Sequence, residues 1–192
     1  MSAEKGKMFL ILGPSGSGKG TVIAHLRKVF PNVLFPISCT TRPPRPSEKN
    51  GDVYYFVTHD EFRKKIASGE FLEHAVVHHD NLYGTLKKPI MEALKSGQMV
   101  IREVDMQGVS SIRAGLPQDQ VISIFLTVPT WEALRARILK RHAETDEELE
   151  QRRVSFEKEM AFSKTCDFVI ENLDGEERAT CKKVEDIIAS FL

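Results

Sequence analysis

The sequence lacks a long apolar run, and its beginning lacks the features of a secretory leader. The longest apolar run near the start, Met8 to Leu12, has five residues, whereas a helix needs about 20 apolar residues to cross a bilayer. The seven residues MSAEKGK carry charges and contain no apolar segment, unlike a signal peptide. We therefore expect no transmembrane helix, and we expect the protein in the cytoplasm.

Cysteine is scarce, and charge of neither sign is in excess. Cys39, Cys166 and Cys181 are odd in number and have no C-x-x-C spacing, which argues against a disulfide framework or a structural zinc site. We expect them to be reduced and mostly buried. Lysine plus arginine equals aspartate plus glutamate at 27 each, so no global positive field attracts nucleic acid or an anionic membrane. Any anionic ligand must be held by local clusters.

The 192 residues, 41% hydrophobic and 28% charged, are typical of one globular unit. Short apolar runs alternate with amphipathic stretches, which predicts an α/β fold with a parallel sheet flanked by helices. Two segments depart from this alternation: a small mixed insertion and a pair of polar helices that resembles a flap. Each contains a capping-box pattern, Thr58 to Glu61 and Thr145 to Glu148. The predicted strands lie at 8–12, 33–38, 99–104, 121–128 and 168–170.

A glycine-rich turn follows the first predicted strand and precedes a predicted helix. Backbone N–H groups of such a turn and of the helix N-terminus converge on one concavity, which binds phosphate groups. A lysine within this turn, Lys19, adds a positive charge that can bridge the β- and γ-phosphates of a nucleoside triphosphate. A glycine-rich connector with a solvated lysine is the alternative, which the flanking strand and helix disfavour. The predicted phosphate-binding residues are Gly13, Pro14, Ser15, Gly16, Ser17, Gly18, Lys19, Gly20 and Thr21.

One position of this turn departs from the usual pattern. Gly20 follows Lys19 where a serine or threonine usually holds magnesium. Either Thr21 supplies the hydroxyl from one position later, or water takes its place.

A second cluster of positive charge lies in a proline-rich segment, Ser38 to Pro46. Prolines favour a polyproline II conformation with about three residues per turn, so Arg42 and Arg45 should point the same way. Two guanidinium groups on one side of a stiff segment suit a second phosphate group. A solvated basic loop is the alternative. Tyr54 and Tyr83 either donate to the same phosphate or are half-buried strand aromatics.

Several segments together resemble the guanylate kinases, ATP-dependent GMP kinases of purine nucleotide metabolism. They occur in the family's order: GPSGSGKGT, SCTTRPPRPSEKNGDVYYFV, FLEHAVV with NLYGT, EVDMQGV, and LRARILKRHAETDEELEQRR. The resemblance extends from about Phe9 to Asn172. It implies a P-loop kinase core with a parallel sheet flanked by helices, a small mixed GMP-binding insertion and a helical lid. It also implies one domain, 1–192, with the core at about 7–37, 88–128 and 162–192, the insertion at 38–87 and the lid at 137–158.

The resemblance assigns roles to residues that match the family's motifs. Ser38, Glu73 and Thr85 match residues that read the guanine. Arg42, Arg45, Tyr54 and Tyr83 match the residues that hold the GMP phosphate. Glu103 and Asp105 match an acidic pair beside the nucleotides. Lys19 and the lid residues Arg137, Arg141 and Arg152 are the expected catalytic residues, and Asn172 resembles the family's asparagine on the adenine side.

Simple chemistry agrees with the base assignment. Guanine presents two adjacent donors, N1–H and N2–H, to a carboxylate, which has acceptors only. Adenine would place the lone pair of its N1 against Glu73. A surface glutamate at a strand end is the alternative. Asp105 follows the run Met99 to Val104, which we expect to be a central strand, and ligands of open parallel sheets collect at such strand ends. Asp105 is therefore the candidate metal residue, for the hydration shell of Mg²⁺.

The expected reaction is transfer of the ATP γ-phosphoryl group to GMP, with ATP and GMP as small-molecule substrates and Mg²⁺ accompanying ATP. We expect the insertion and the flap to close over them. Homo-oligomer formation stays open. Two alternatives remain: a catalytically inactive guanylate-kinase-like interaction domain, and a P-loop kinase for another nucleoside monophosphate. His74 and His78, four residues apart, would share a face of a helix, but this stretch predicts a strand, so they do not predict a metal site. Trp131 is expected in the core, at helical spacing from Leu134 and Ile138.

Overall fold

The computed structural model describes residues 5–52, 54–77, 80–141 and 143–192, without the side chains of Val77 and Arg141. His78 therefore lies outside the described residues. Among those described, no helix combines the length and the apolar character that a bilayer span requires.

A four-stranded parallel sheet contains β1 and β7, in which every residue is buried. Burial at every position is what the interior of a parallel sheet covered on both faces requires. The predicted α/β fold is confirmed. The strand order is β6-β1-β7-β8, with β1 at Met8–Leu12, β6 at Val100–Glu103, β7 at Val121–Thr127 and β8 at Phe168–Glu171.

Two details of the predicted strands are wrong. The strand that precedes Asp105 is not central, because β6 stands at one end of the strand order. The run 33–38 is not a regular strand: Leu34 forms an isolated parallel bridge with Val100, and Pro36 has no N–H with which to extend the ladder.

The predicted mixed insertion forms a second four-stranded sheet, ordered β3-β2-β5-β4. Strands β2 and β3 are parallel, while β5 is antiparallel to both β2 and β4. The strands are β2 at Ser38–Thr40, β3 at Tyr54–Phe56, β4 at Phe71–Val77 and β5 at Asn81–Leu86.

Both predicted capping boxes are present. Thr58 begins α2 and Thr145 begins α6; each hydroxyl accepts from the backbone N–H three residues on, and Glu61 or Glu148 reaches back to the N-cap. These reciprocal bonds satisfy donors that a helix start leaves free. The helices are α1 at Lys19–Val29, α2 at His59–Ala67, α3 at Lys87–Lys95, α4 at Met106–Gly115, α5 at Trp131–Arg141, α6 at Asp146–Ser163 and α7 at Glu177–Ala189.

The chain divides into two compact units. The first unit, which contains the mixed sheet with α2 and α3, comprises Met1–Met8, Val33–Ile101 and Gln107–Val121. The second unit, which contains the glycine-rich turn, α1 and α5 to α7, comprises Phe9–Asn32, Arg102–Met106 and Ile122–Leu192.

Apolar packing joins α5 and α6 within the second unit. Leu134, Ile138, Leu149 and Phe156 belong to one buried cluster, and Trp131 packs against it. The prediction that Trp131 packs in the core is confirmed in part, since the residue is partly buried and lies against the buried cluster. The cysteines are free, with Cys39 and Cys181 buried, as expected.

Candidate active site

The glycine-rich turn between β1 and α1 depends on backbone conformations that side chains disfavour. Gly13, Gly16 and Gly18 have φ values of 139°, 98° and 101°, in the region that glycine adopts without a steric cost. A Cβ on Gly13 would lie 2.1 Å from the Leu126 carbonyl oxygen. Strand β7 therefore packs directly against the backbone of the turn.

Lys19 folds its side chain back over this turn. Its Nζ donates to the carbonyl oxygens of Gly13 at 2.8 Å and Pro14 at 3.1 Å, and it lies 3.7 Å from Glu103 Oε1. Lys19 is 14% exposed and Glu103 is 48% exposed. A cavity of about 390 Å³ opens here, lined by residues of the turn and by Glu103. A fixed ammonium group beside converging backbone donors is suited to binding phosphate oxygens.

Two further carboxylates belong to this region. Asp105 is exposed and lies between β6 and α4. Glu159 is half-buried on α6; burial raises the pKa of its carboxyl, the charge of Lys19 opposes that rise and the charge of Asp105 adds to it. Sequence reasoning missed Glu159, because the polar face of α6 offers many similar carboxylates.

The predicted lid arginines that the structure describes are paired with acidic side chains. Arg137 donates from Nε to Asp174 at 2.7 Å and from Nη2 to the Asn172 carbonyl at 2.6 Å. Arg152 binds Glu144 through two parallel bonds of 2.8 and 2.6 Å, and this hydrogen bonding raises the pKa of Arg152. The side chain of Arg141 lies outside the described residues.

Asn172, which the resemblance places on the adenine side, is buried, with 4% exposure. Its Nδ2 donates to the Ser17 carbonyl at 2.8 Å, and its Oδ1 accepts from the Thr180 hydroxyl at 2.9 Å. Both polar atoms of its side chain are therefore engaged by the protein itself.

The residues predicted to read guanine form one row across the mixed sheet. Ser38 on β2 is opposite Thr85 on β5, which is opposite Glu73 on β4, and Ser38 is also opposite Tyr54 on β3. Side chains of directly opposed residues share a face of the sheet. The Thr85 hydroxyl donates to Glu73 Oε1. Four predicted residues are thus brought together on one face.

Strand β4 carries an irregularity that separates Phe71 from Glu73. Phe71 is opposite Leu86, whereas Glu73 is opposite Thr85, so β4 has one residue more than β5 in this interval, as in a β-bulge. Leu86 and Thr85 are consecutive and face opposite sides of the sheet. The extra residue therefore directs Glu73 to the polar row and Phe71 to the other face.

That other face packs against α2. The Phe71 ring stacks on Phe62 with a centroid distance of 4.4 Å, and Phe62 is fully buried. A Cβ on Gly84 would lie 2.8 and 2.9 Å from these two rings. The absence of a side chain at Gly84 therefore allows α2 to lie close to the sheet.

Arg42 is held beside the polar face by a carboxylate that sequence reasoning missed. Its Nη2 donates to Glu48 Oε1 at 3.0 Å, and Glu48 Oε2 accepts from the Arg45 backbone N–H at 2.8 Å. The Arg45 hydrogen bond and then those of Arg42 lower the pKa of the Glu48 carboxyl, although partial burial opposes them. The Arg42 guanidinium also lies 5.4 Å from the Tyr54 ring centroid, and the Tyr54 and Tyr83 rings meet edge to face at 5.7 Å.

Within the described part of the chain, no group of three or more histidine, cysteine or acidic side chains could hold a metal ion. His74 lies beside the Phe71 ring. A metal that relied on bound water and substrate oxygens would need fewer protein ligands, and Asp105, Glu103 and Glu159 are acidic residues of this region that could contribute.

A protein-family model described as guanylate kinase matches residues 5–191. The chain belongs to the guanylate kinase family. A guanylate kinase of Clostridioides difficile (strain 630) is 39% identical over 190 residues, which cover 99% of this chain and 90% of that protein. A guanylate kinase of Tropheryma whipplei (strain Twist) is 42% identical over 167 residues, which cover 87% and 86%. The crystal structure of guanylate kinase from Anaplasma phagocytophilum matches with a TM-score of 0.72 and 26% identity, covering 97% and 86%.

Membership of the guanylate kinase family confirms the resemblance inferred from the motifs. The roles of individual residues stay predictions. Local signals could have suggested Glu48, three residues after Arg45, but the partners Glu144, Asp174 and Thr180 have no motif of their own.

Proposed function

We propose that this chain is an ATP:GMP phosphotransferase, which transfers the γ-phosphoryl group of ATP to GMP and gives ADP and GDP. The observation that carries the proposal is the row Ser38, Thr85 and Glu73 on one face of the mixed sheet, in a member of the guanylate kinase family. The glycine-rich turn with Lys19 supplies the second requirement, a site for a nucleoside triphosphate.

Guanine is selected by the carboxylate and hydroxyl groups of the row. Glu73 accepts from the adjacent N1–H and N2–H donors of guanine, and Ser38 and Thr85 supply hydroxyl groups with both donor and acceptor capacity. The Thr85 hydrogen bond fixes the Glu73 carboxylate before the base arrives. Adenine would leave that carboxylate facing a lone pair, a repulsive contact that lowers its rate of use.

The GMP phosphate is held by Arg42 and Arg45, with the Tyr54 and Tyr83 hydroxyls as further donors. Glu48 supports this arrangement, because one of its oxygens binds the Arg42 side chain and the other binds the Arg45 backbone. A guanidinium group held in place loses less conformational freedom when a phosphate binds.

The ATP phosphates bind to the backbone N–H groups of the turn and to Lys19, and Arg137, Arg141 and Arg152 neutralise charge that develops during transfer. The attacking oxygen of GMP is already anionic, so no strong general base is required. Alignment and charge neutralisation therefore account for the rate.

A bound Mg²⁺ would supply positive charge that offsets the charge of the ATP phosphates. Asp105 and Glu103 would bind it or its water shell, since Mg²⁺ usually keeps several waters and takes one or two carboxylates. The Thr21 hydroxyl, exposed at the start of α1, could replace the hydroxyl that Gly20 lacks. Calorimetric binding of ATP with and without Mg²⁺, in wild type and Asp105→Asn, tests this: an equal gain from Mg²⁺ in both would exclude Asp105.

The proposal places the reaction in purine nucleotide metabolism in the cytoplasm, with neither nucleic acid nor a membrane as partner. The equal numbers of acidic and basic residues support the absence of nucleic acid and membrane partners. Cell fractionation should find the protein in the cytoplasm, and binding assays at physiological salt should find no binding to anionic vesicles or duplex DNA. Binding to either, or recovery with the membrane fraction, would contradict the proposal.

The decisive experiment measures ADP release with ATP and each of GMP, AMP, UMP and CMP. We expect kcat/KM for GMP to exceed that for AMP at least about a hundredfold, because a polar group of the site discriminates between the two bases. Better use of AMP or UMP would indicate a kinase for another nucleoside monophosphate. No ADP release with any of them would favour an inactive interaction domain.

A further inference from the structure

Asn172 connects four separate segments of the second unit. Its side chain binds the Ser17 carbonyl and the Thr180 hydroxyl, its backbone N–H donates to the Thr127 carbonyl at 2.9 Å, and its own carbonyl accepts from Arg137. The residue is 4% exposed. Both polar atoms of its amide are bound by the protein itself.

The bond from Asn172 to Ser17 also determines how the next peptide group of the turn is presented. A trans peptide group is planar, and its carbonyl and its N–H point in opposite directions. The Ser17 carbonyl points at Asn172, so the N–H of Gly18 points away from Asn172. Gly18 lines the cavity at the turn, where N–H groups bind phosphate oxygens.

The orientation of the Asn172 amide is set in turn by Thr180. Thr180 is 1% exposed, and its hydroxyl donates to Oδ1, which leaves Nδ2 to face the Ser17 carbonyl. Without that hydroxyl, Oδ1 would be buried without a donor, and a rotated amide would place Oδ1 against the Ser17 carbonyl.

Close packing between the Asn172 amide and the turn means that a change in the amide orientation must also move the turn. A Cβ on Gly18 would lie 2.4 Å from Asn172 Nδ2. The amide therefore contacts the Gly18 backbone directly, and any movement of Asn172 is transmitted to the turn.

We infer that Thr180 and Asn172 are positioning residues for ATP phosphate binding: Thr180 fixes the Asn172 amide, and the amide fixes the peptide group between Ser17 and Gly18. This inference rests on the proposed function for its substrate. It assigns Asn172 an action through the turn rather than on the adenine, and it gives Thr180 a role that no sequence motif indicates.

The test compares Thr180→Val, which keeps the shape but removes the hydroxyl, with Thr180→Ser, which restores it. We expect Thr180→Val to weaken ATP binding, measured by calorimetry, and to lower kcat/KM for ATP, each about tenfold, which is the effect of a buried polar atom left without its partner. KM for GMP should not change. Thr180→Ser should recover most of the loss.

Ser123→Ala is the matched control. Ser123 is fully buried on β7, and its hydroxyl donates to Asp167 Oδ2 at 2.6 Å, near the start of the strand whose far end meets the turn. This variant should lower the melting temperature and leave the affinity for ATP as in wild type.

A Thr180→Val protein that melts earlier but binds ATP like wild type would overturn the inference, as would an equal loss of affinity for ATP in Ser123→Ala. If Thr180→Val does not fold, Thr180→Cys, whose thiol is a weaker donor, is judged by the same criteria. ATP affinity is read independently of turnover, so a wild type that binds ATP without phosphorylating GMP would refute the proposed function and still decide this inference.

Discussion

The glycine-rich turn and the mixed sheet hold ligand groups in different ways. The turn relies on backbone N–H groups made available by positive φ values at Gly13, Gly16 and Gly18. The mixed sheet relies on side chains brought side by side by strand register, as in the row that ends at Glu73. A turn built in this way suits a phosphate, whose oxygens are all hydrogen-bond acceptors. A row of side chains can match the particular pattern of donors and acceptors on the edge of one base.

This difference predicts different weaknesses. The turn should be sensitive to changes in backbone shape, since a Cβ would meet the Leu126 backbone at Gly13 and the Asn172 side chain at Gly18. The sheet should tolerate changes that preserve shape and lose specificity when a side chain changes its hydrogen-bonding pattern.

The largest effect is expected from the one side chain of the turn that carries a charge. Lys19→Ala should lower kcat about a hundred- to a thousandfold, because its charge acts mainly where phosphate charge develops. KM for GMP should change little. Lys28→Ala on the exposed side of α1 is the control and should keep kcat; equal rates for both variants would separate Lys19 from the reaction.

A change of backbone shape should come next. Gly13→Ala should reduce the free energy of unfolding by about 3 kcal/mol or more, since it combines a strained φ with a contact against the Leu126 carbonyl. Gly20→Ala is the matched control: a Cβ there has no neighbour within 4 Å, and alanine in α1 should stabilise by about 0.5–1 kcal/mol. Urea denaturation measures both, and a neutral Gly13→Ala would contradict the account of the turn.

The mixed sheet should respond in specificity rather than in stability. Glu73→Gln should reduce the preference for GMP over AMP about ten- to a hundredfold, because the amide replaces one acceptor by a donor. Glu70→Gln near the start of the same strand, where the carboxylate binds Lys65 and Ser68, should leave this preference unchanged. An unaltered ratio of kcat/KM values in Glu73→Gln would remove it from the base site.

The smallest effect concerns the cap of α2, the helix behind the mixed sheet. The Thr58 backbone and side-chain hydrogen bonds lower the pKa of Glu61. A lowered folded-state pKa contributes stability above the ordinary value of about 4.5, and this stability is lost as pH falls through the lowered value. Wild type should therefore exceed Glu61→Gln in stability at neutral pH, and the difference should shrink towards zero in acid. A difference independent of pH in urea denaturation would contradict this.

Local features of the fold could be predicted because neighbouring residues decide them. The turn follows from glycines between an apolar run and a helix, and the boxes at Thr58 and Thr145 follow from residues three apart. The row of the mixed sheet could be proposed only through family resemblance, since register across Ser38, Thr85 and Glu73 depends on strands far apart in sequence.

Other features of the site are decided by contacts that leave no pattern in the sequence. Asn172 binds Ser17 across 155 residues. Arg137 and Arg152 have acidic partners whose positions depend on how the loops return. The position of β6 at one end of its sheet depends on strand order, which the apolar run itself does not encode.

The bulge in β4 makes the orientation of side chains in the mixed sheet depend on the number of residues between Phe71 and Glu73. Because Leu72 is the extra residue, the Phe71 ring and the Glu73 carboxylate lie on opposite faces of β4 although they are two positions apart. If the chain lost Leu72, Phe71 and Glu73 would become consecutive in a regular strand and would still face opposite ways, opposite Leu86 and Thr85 as before. Removal of Leu72 should therefore abolish the bulge and keep Glu73 in the polar row, whereas a one-residue slip in the pairing of Glu73 with Thr85 would turn its side chain towards α2 and remove the proposed guanine recognition.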